Sequence, residues 1–298
     1  MDGEKDCKLS SFILWEESSR HYSNDVIICT VNTISAVFAF FCNLAIIVTI
    51  KKKNLIQTPR DILIGSLTFL DCIVPLVAKP LFIALRMSLH DDHVTCSRLQ
   101  QLTKATELAV MFGCGCSLTH IVLIAGDRYL ALRKPIKYRR PRTKKVAITF
   151  ACTCWAIWSL IVIIFDKIIP RRFENFLRIF IATVLLTSLV FLKVKAFLIV
   201  YRFNQTLVHD SNSLKVEGLT ERDRKVLIDT TFISITFMLL FIPTAALIVI
   251  RPAGIYGNVV FPWSMTITLL NSLINPMIHV WRNRLLRRAM LDLLTTEH

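Results

Sequence analysis

Seven separate apolar blocks of about 20 residues restrict this chain more than any other feature, because a helix of that length crosses a ~30 Å hydrocarbon layer. They are Val26–Ile50, Ile62–Leu85, Leu102–Ala125, Val146–Ile169, Leu177–Tyr201, Val226–Ile250 and Val259–Trp281. Each mixes Leu, Ile, Val and Phe without the period-two alternation of a membrane strand. Hydrophobic residues make up 54% of the 298 and charged residues 19%. Soluble domains carry roughly 45–50% apolar and about 25% charged residues. A cytosolic enzyme, a disordered tail protein and a soluble nucleic-acid binder are therefore excluded. The expected fold is an all-α membrane protein, a bundle of seven transmembrane helices followed by a short amphipathic eighth. Residues 1–25 form an outer segment, 26–281 the bundle, and 282–298 a cytoplasmic helix and tail. Before Val26 the only apolar patch is Phe12–Trp15, so the first span is expected to act as the insertion signal.

Orientation follows from Lys and Arg. One set of connections holds Lys51–Lys53 and Arg60, the basic run from Arg128 to Lys145, Arg202, Lys215, Arg222, Arg224 and Lys225, and Arg282, Arg284, Arg287 and Arg288. It carries twice as many cations as the opposite set. The amino terminus is therefore expected outside and the carboxy terminus inside. The formal net charge of +15 then faces the anionic inner leaflet, and no nucleic-acid partner is needed to explain it.

Polar residues within the spans come next. Asp71 is a carboxylate near the midplane, where an unpaired charge costs roughly 3 kcal/mol or more, so it must face the interior. Ser117 lies 11 residues before Arg128, about three helical turns, which puts it at the depth of Asp71. Asn271 and Asn275 are one turn apart on the seventh span. These oxygens either surround a small hard cation such as Na⁺ or form a polar network joining helices. Arg128 stays charged and needs an anion or water. Asp127 adjoins it, and Asp223, 20 residues before Pro243, either pairs with it across the bundle or pairs locally in solvent. Pro243 kinks the sixth span. Phe241 and Phe237 lie one turn apart there, either as repacking aromatics or as plain core.

Gly126-Asp127-Arg128-Tyr129 at the inner end of the third span, with Asn275-Pro276 in the seventh, resembles the rhodopsin-like G-protein-coupled receptors. Asn43, Leu67, Leu70-Asp71, Trp155, Phe237, Leu240-Phe241-Ile242-Pro243 and Asn271 follow in the family's order. The likeness runs from Asn24 to Leu294. It implies an extracellular ligand, a heterotrimeric G protein as cytosolic partner, and no bond chemistry in the chain. It implies a switch made of Asp127, Arg128, Tyr129, Tyr201, Asp223, Phe237, Phe241, Pro243, Asn275, Pro276 and His279. It also implies an allosteric Na⁺ pocket at Asp71, Ser117, Asn271 and Asn275, and no other cofactor.

The chain departs from that pattern in several places. Thr103 stands where the family's third-span cysteine is expected, and Lys167–Phe176 contains no cysteine, so the usual loop disulfide is absent. Cys7 and Cys96 are the clearly extracellular cysteines and form a hypothetical bridge; the cysteines within spans read as small apolar residues. His279 replaces the family's tyrosine and is expected to alter basal signalling. The fifth span lacks its proline and carries Lys193 and Lys195, which either snorkel to the interface, the favoured outcome, or face a polar interior.

Val110 stands where amine receptors have Asp, and Leu269 where an opsin has its lysine. Lys79, Glu107, Val110, Met111, Phe241, Trp263 and Met265 are expected to rim or line the outer cavity. The missing loop disulfide and proline also resemble melanocortin receptors, which gives a small-molecule, lipid or peptide ligand with peptide or lipid favoured. The rival readings are a non-signalling seven-helix receptor and a seven-helix transporter. An enzyme would need convergent catalytic groups, and His120 and His279 stand alone in their spans.

Overall fold

The computed structural model describes residues 21–55, 58–134, 138, 142–209, 221–250 and 259–296. Among these residues the regular elements are all helical. In chain order they are α1 (Tyr22–Lys52), α2 (Pro59–Ser88), α3 (Cys96–Arg133), α4 (Arg142–Lys167), α5 (Arg171–His209), α6 (Glu221–Ile250), α7 (Phe261–Leu269), α8 (Asn271–Arg282) and α9 (Arg284–Thr296). Six are long and apolar enough to cross a membrane: α1 to α6.

The seventh span departs from the expected single helix. It is divided at Leu270 into α7 and α8, so neither piece alone crosses a bilayer. The interruption at Leu270 is slight, since its backbone remains helical (φ −65°, ψ −15°), and a second one follows at Pro276 inside α8. Pro276 has no N–H, which leaves the Ser272 carbonyl without its helical donor. Asn43 of α1 donates to that carbonyl at 2.8 Å and to Ala39 O at 2.8 Å. In a hydrocarbon layer such freed backbone groups must be satisfied inside the protein. Asn43, 1% exposed, does this.

Helix starts follow ordinary capping rules. Thr58 and Asp61 form a capping box at α2, and Thr95 caps α3. Asn283 Oδ1 accepts from Leu286 N at the start of α9. In α9 Leu286 and Ala289 are buried while Leu285 is exposed, so the apolar face is shared between the packing surface and its surroundings.

The core centres on α3, where Leu118, Ile121, Ile124 and Ala125 meet Leu63 and Leu67 of α2, Leu189 of α5 and Phe237 of α6. Phe38, Phe41, Ile163, Phe191, Phe197 and Leu239 point outward and exposed. A soluble monomer does not expose apolar surface on this scale; a lipid-facing belt does.

Candidate ligand cavity and arginine switch

The outer half of the bundle encloses a cavity of about 140 Å³. α2, α3, α5, α6 and α7 contribute Phe82, Val110, Met111, Ile181, Phe241 and Met265, and α4 contributes Trp158. Gly115 is needed here, because a Cβ at that position would run into the Trp158 ring. Of the residues expected to form this site, Glu107, Val110, Met111, Phe241 and Met265 line it. Lys79 and Trp263 do not. Lys79 is fully buried and donates to Ser35 Oγ at 2.7 Å. Trp263 donates to Asn24 Oδ1 at 2.8 Å, tying α7 to α1.

The cavity's charged members are already paired. Arg178 of α5 donates to Glu107 of α3 at 3.0 Å and to Glu174 at 2.9 Å. Arg86 Nε donates to Asp25 Oδ1 at 3.0 Å, and His90 Nε2 lies 2.7 Å from Asp25 Oδ2. Asp25 is completely buried. Lys104 of α3 reaches Asp166 of α4 through the backbone carbonyl at 2.8 Å and the carboxylate at 3.1 Å. These pairs hold the outer ends of α3, α4 and α5 together without the disulfide whose absence was read from Thr103. Cys96 is disulfide-bonded, and Cys7, its expected partner, lies outside the described residues.

Below the main cavity is a second one of about 20 Å³, lined by Asp71, Ser117, Asn271 and Ser272. That is room for about one water or small ion. Asp71 is 1% exposed, and its Oδ2 accepts from Asn275 Nδ2 at 2.9 Å. Asn271 Oδ1 and Asn275 Oδ1 are buried acceptors without donors. The Asp71 carboxylate, the unsatisfied Asn271 oxygen and the Ser117 and Ser272 hydroxyls around this space are the hard oxygen donors that Na⁺ takes, whereas Asn275 does not line it and meets Asp71 through its amide nitrogen.

Thr268 belongs to both cavities. Its Oγ1 donates to Leu240 O at 2.9 Å and lies 2.8 Å from Thr244 Oγ1, at the turn of α6 that Pro243 interrupts. Phe237 and Phe241 stack beside it at 5.7 Å. Sequence reasoning missed this threonine; its signal was only a hydroxyl in an apolar span.

At the inner end Arg128 is 8% exposed. Its Nε donates to Asp127 Oδ2 at 3.0 Å and its Nη2 to Tyr138 Oη at 2.7 Å. Tyr138 in turn donates to the Asp127 carboxylate at 2.8 and 3.0 Å. Burial pushes the Tyr138 phenol well above its ordinary range, against the downward pull of Arg128, so it remains a donor at neutral pH. Tyr138 therefore completes a closed triad that the sequence did not announce, since it lies ten residues beyond the arginine in a basic run.

Asp223, the expected partner from the sixth span, has its side chain outside the described residues. At this end α6 is tied to the seventh span by Arg282 Nε to Asp229 Oδ1, 2.7 Å, with the guanidinium 4.9 Å from the Phe232 ring centroid. Tyr129 accepts from Arg133 at 2.8 Å and packs with Ala196, Val200 and Leu227. Tyr201 is 52% exposed, on the outside of α5 rather than in the interior. His279 is buried, with Nε2 unpartnered. Lys193 corrects the expectation of snorkelling: it turns inward and donates to Thr230 Oγ1 of α6 at 3.0 Å. Lys195 lies outward over Phe191.

Three relatives share parts of the sequence. Olfactory receptor 4L1 of Homo sapiens is 32% identical over 40% of this chain and 36% of its own length. The 5-hydroxytryptamine receptor 1E of Homo sapiens is 31% identical over 44% of this chain and 35% of its own. Cannabinoid receptor 1 of Taricha granulosa is 25% identical over 91% of this chain and 63% of its own. The matched stretch thus spans little more than a third of the first two and under two thirds of the third. None of these three is a melanocortin receptor. The family profile described as 7 transmembrane receptor (rhodopsin family) matches residues 42–279, and this multi-pass membrane chain belongs to that family.

Proposed function

We propose that this receptor takes an apolar, lipid-like ligand into the outer cavity and passes the signal to a heterotrimeric G protein through Arg128. The observation that carries the ligand class is the lining: aliphatic and aromatic side chains, with Glu107 engaged by Arg178, which also holds Glu174. A bare ammonium ligand would find no free carboxylate there, since Val110 occupies the relevant face and Glu107 is engaged. An apolar ligand displaces nothing that is hydrogen-bonded and gains burial at about 25 cal/mol per Å². The likeness to a cannabinoid receptor over most of the chain supports the same class.

The resting arrangement is the Arg128–Asp127–Tyr138 triad. A ligand pressing on Phe241 or Thr268 reaches the α6 kink directly, and outward movement of α6 would open the inner mouth to a cytosolic helix. Such a shift requires only that the ligand bind one arrangement better than the other. Asp71, Ser117, Asn271 and Ser272 would hold Na⁺, which supplies positive charge to a buried carboxylate in the resting bundle. The same reading places the receptor in the plasma membrane with its amino terminus outside, and pairs Cys7 with Cys96.

The test is ligand-induced stabilisation of the purified receptor. A neutral long-chain fatty-acid amide is expected to raise the thermal midpoint of wild type and not of Val110→Trp, which fills the cavity. Serotonin is expected to do nothing. A shift with serotonin and none with the amide would refute the ligand class.

A further inference from the structure

Between α3 and α4 three buried ligand-type side chains meet, none of which lines either cavity. Cys116 and His120 are four residues apart on α3, the spacing that places two side chains on one helical face. Cys154 approaches from α4. Cys116 and His120 are fully buried and Cys154 is 5% exposed. The two Sγ atoms are 3.7 Å apart. His120 Nδ1 lies 3.7 Å from Cys116 Sγ and 3.5 Å from Cys154 Sγ.

These separations match a metal tetrahedron. With Zn–S of about 2.3 Å and Zn–N of about 2.0–2.1 Å, tetrahedral angles put two sulfurs ~3.8 Å apart and sulfur and nitrogen ~3.6 Å apart. One ion at the centre would reach all three atoms without backbone movement. The Cys116 carbonyl, 2.8 Å from Nδ1, is too close for a ligand on the same ion and is a hydrogen-bond partner of that nitrogen in the metal-free bundle, a bond that loading exchanges for the metal. Behind the ring, His120 Nε2 is 2.9 Å from Ser66 Oγ, which also accepts from Trp155 Nε1 at 3.0 Å. Metal binding uses the tautomer in which Nε2–H donates to Ser66 and the Nδ1 lone pair is left for the ion, and such outer partners orient metal-bound histidines generally.

Charge and softness select the ion. Two thiolates and one Zn²⁺ sum to zero, which suits a site that cannot carry net charge. Thiolate and imidazole favour zinc over magnesium or calcium. We propose that Cys116, His120 and Cys154 bind Zn²⁺ and so staple α3 to α4 in the middle of the bundle. Loading would release the two thiol protons to solvent and leave the oxidation state of every atom unchanged.

The experiment measures the metal content of the full chain purified in lipid discs without chelator. About one zinc per chain is expected, lost in Cys154→Ser and His120→Asn. It should be retained in Cys152→Ser, an exposed cysteine on the same helix, and in His93→Ala, which removes an exposed histidine of the outer loop. Strong chelation should lower the thermal midpoint of wild type and leave that of Cys154→Ser unchanged. A readout that needs no variant is Co²⁺ loading of wild type, which should give thiolate-to-metal charge-transfer absorption. A metal-free protein with no cobalt–thiolate band, or a Cys116–Cys154 disulfide in a non-reducing digest, would overturn the site.

Discussion

The outer and inner halves of the bundle are built from opposite materials. The outer half surrounds a mostly apolar space whose charged lining residues are paired across helices: Asp25 with Arg86 and His90, Glu107 with Arg178. The inner half has its decisive charge at the centre, Arg128, held by its neighbour and by a phenol from the following loop. Outer pairs fix helices in place, and breaking one leaves an uncompensated buried charge. The inner triad is made of groups that a competing partner could replace. Stability therefore resides mainly in the outer ties, and switching in the inner one.

That division can be broken by substitution. Asp25→Ala should have the largest effect, because it strands a buried arginine. A loss of about 3–5 kcal/mol is expected, read as a collapse of surface expression and thermal midpoint. Normal expression would show that the outer charges do not carry the fold. Gly115→Ala comes next, since its Cβ meets the Trp158 ring. Overpacking of this kind costs about 1–3 kcal/mol, and a midpoint equal to wild type would place the ring elsewhere.

Thr268→Val should cost about 1 kcal/mol of stability while changing ligand efficacy more than ligand affinity, because the hydroxyl bonds to the α6 kink. An affinity loss with efficacy intact would assign Thr268 to the cavity alone. Asp229→Asn should have the smallest effect. The pair with Arg282 is partly exposed, so under about 1 kcal/mol is at stake, seen as a modest rise in basal nucleotide exchange. A large rise would shift the resting restraint from Arg128 to this pair.

The inner half was also the more legible in sequence. Asp127-Arg128-Tyr129, Pro243 and Asn275-Pro276 are recognisable because arginine at a helix end and proline in a helix have few physical solutions. Asp71 and Asn275 were placed together on depth alone, and their 2.9 Å hydrogen bond agrees. Spacing could not show which loop residue completes the triad. Tyr138 comes from outside the helical register, so no periodicity points to it.

The outer half was harder to read for the same reason that it can bind ligands. Apolar lining residues are interchangeable, and Lys79 and Trp263 looked like rim residues until their partners Ser35 and Asn24 were visible. Lys193 misled because its partner, the Thr230 hydroxyl, comes from the next helix and spacing within its own span does not show it. His120 looked solitary within its span because its two sulfur neighbours include one from another helix.

The central claim is that Arg128 is restrained at rest by Asp127 and Tyr138 and is the group presented to the G protein. The direct measurement is nucleotide exchange on purified heterotrimer, comparing wild-type receptor, Tyr138→Phe and Arg128→Ala in the same lipid discs. Losing a hydrogen bond to a charged partner removes about 1.5–3 kcal/mol of restraint, so Tyr138→Phe should raise basal exchange roughly tenfold or more while Arg128→Ala abolishes it. Equal exchange by all three proteins would contradict the account.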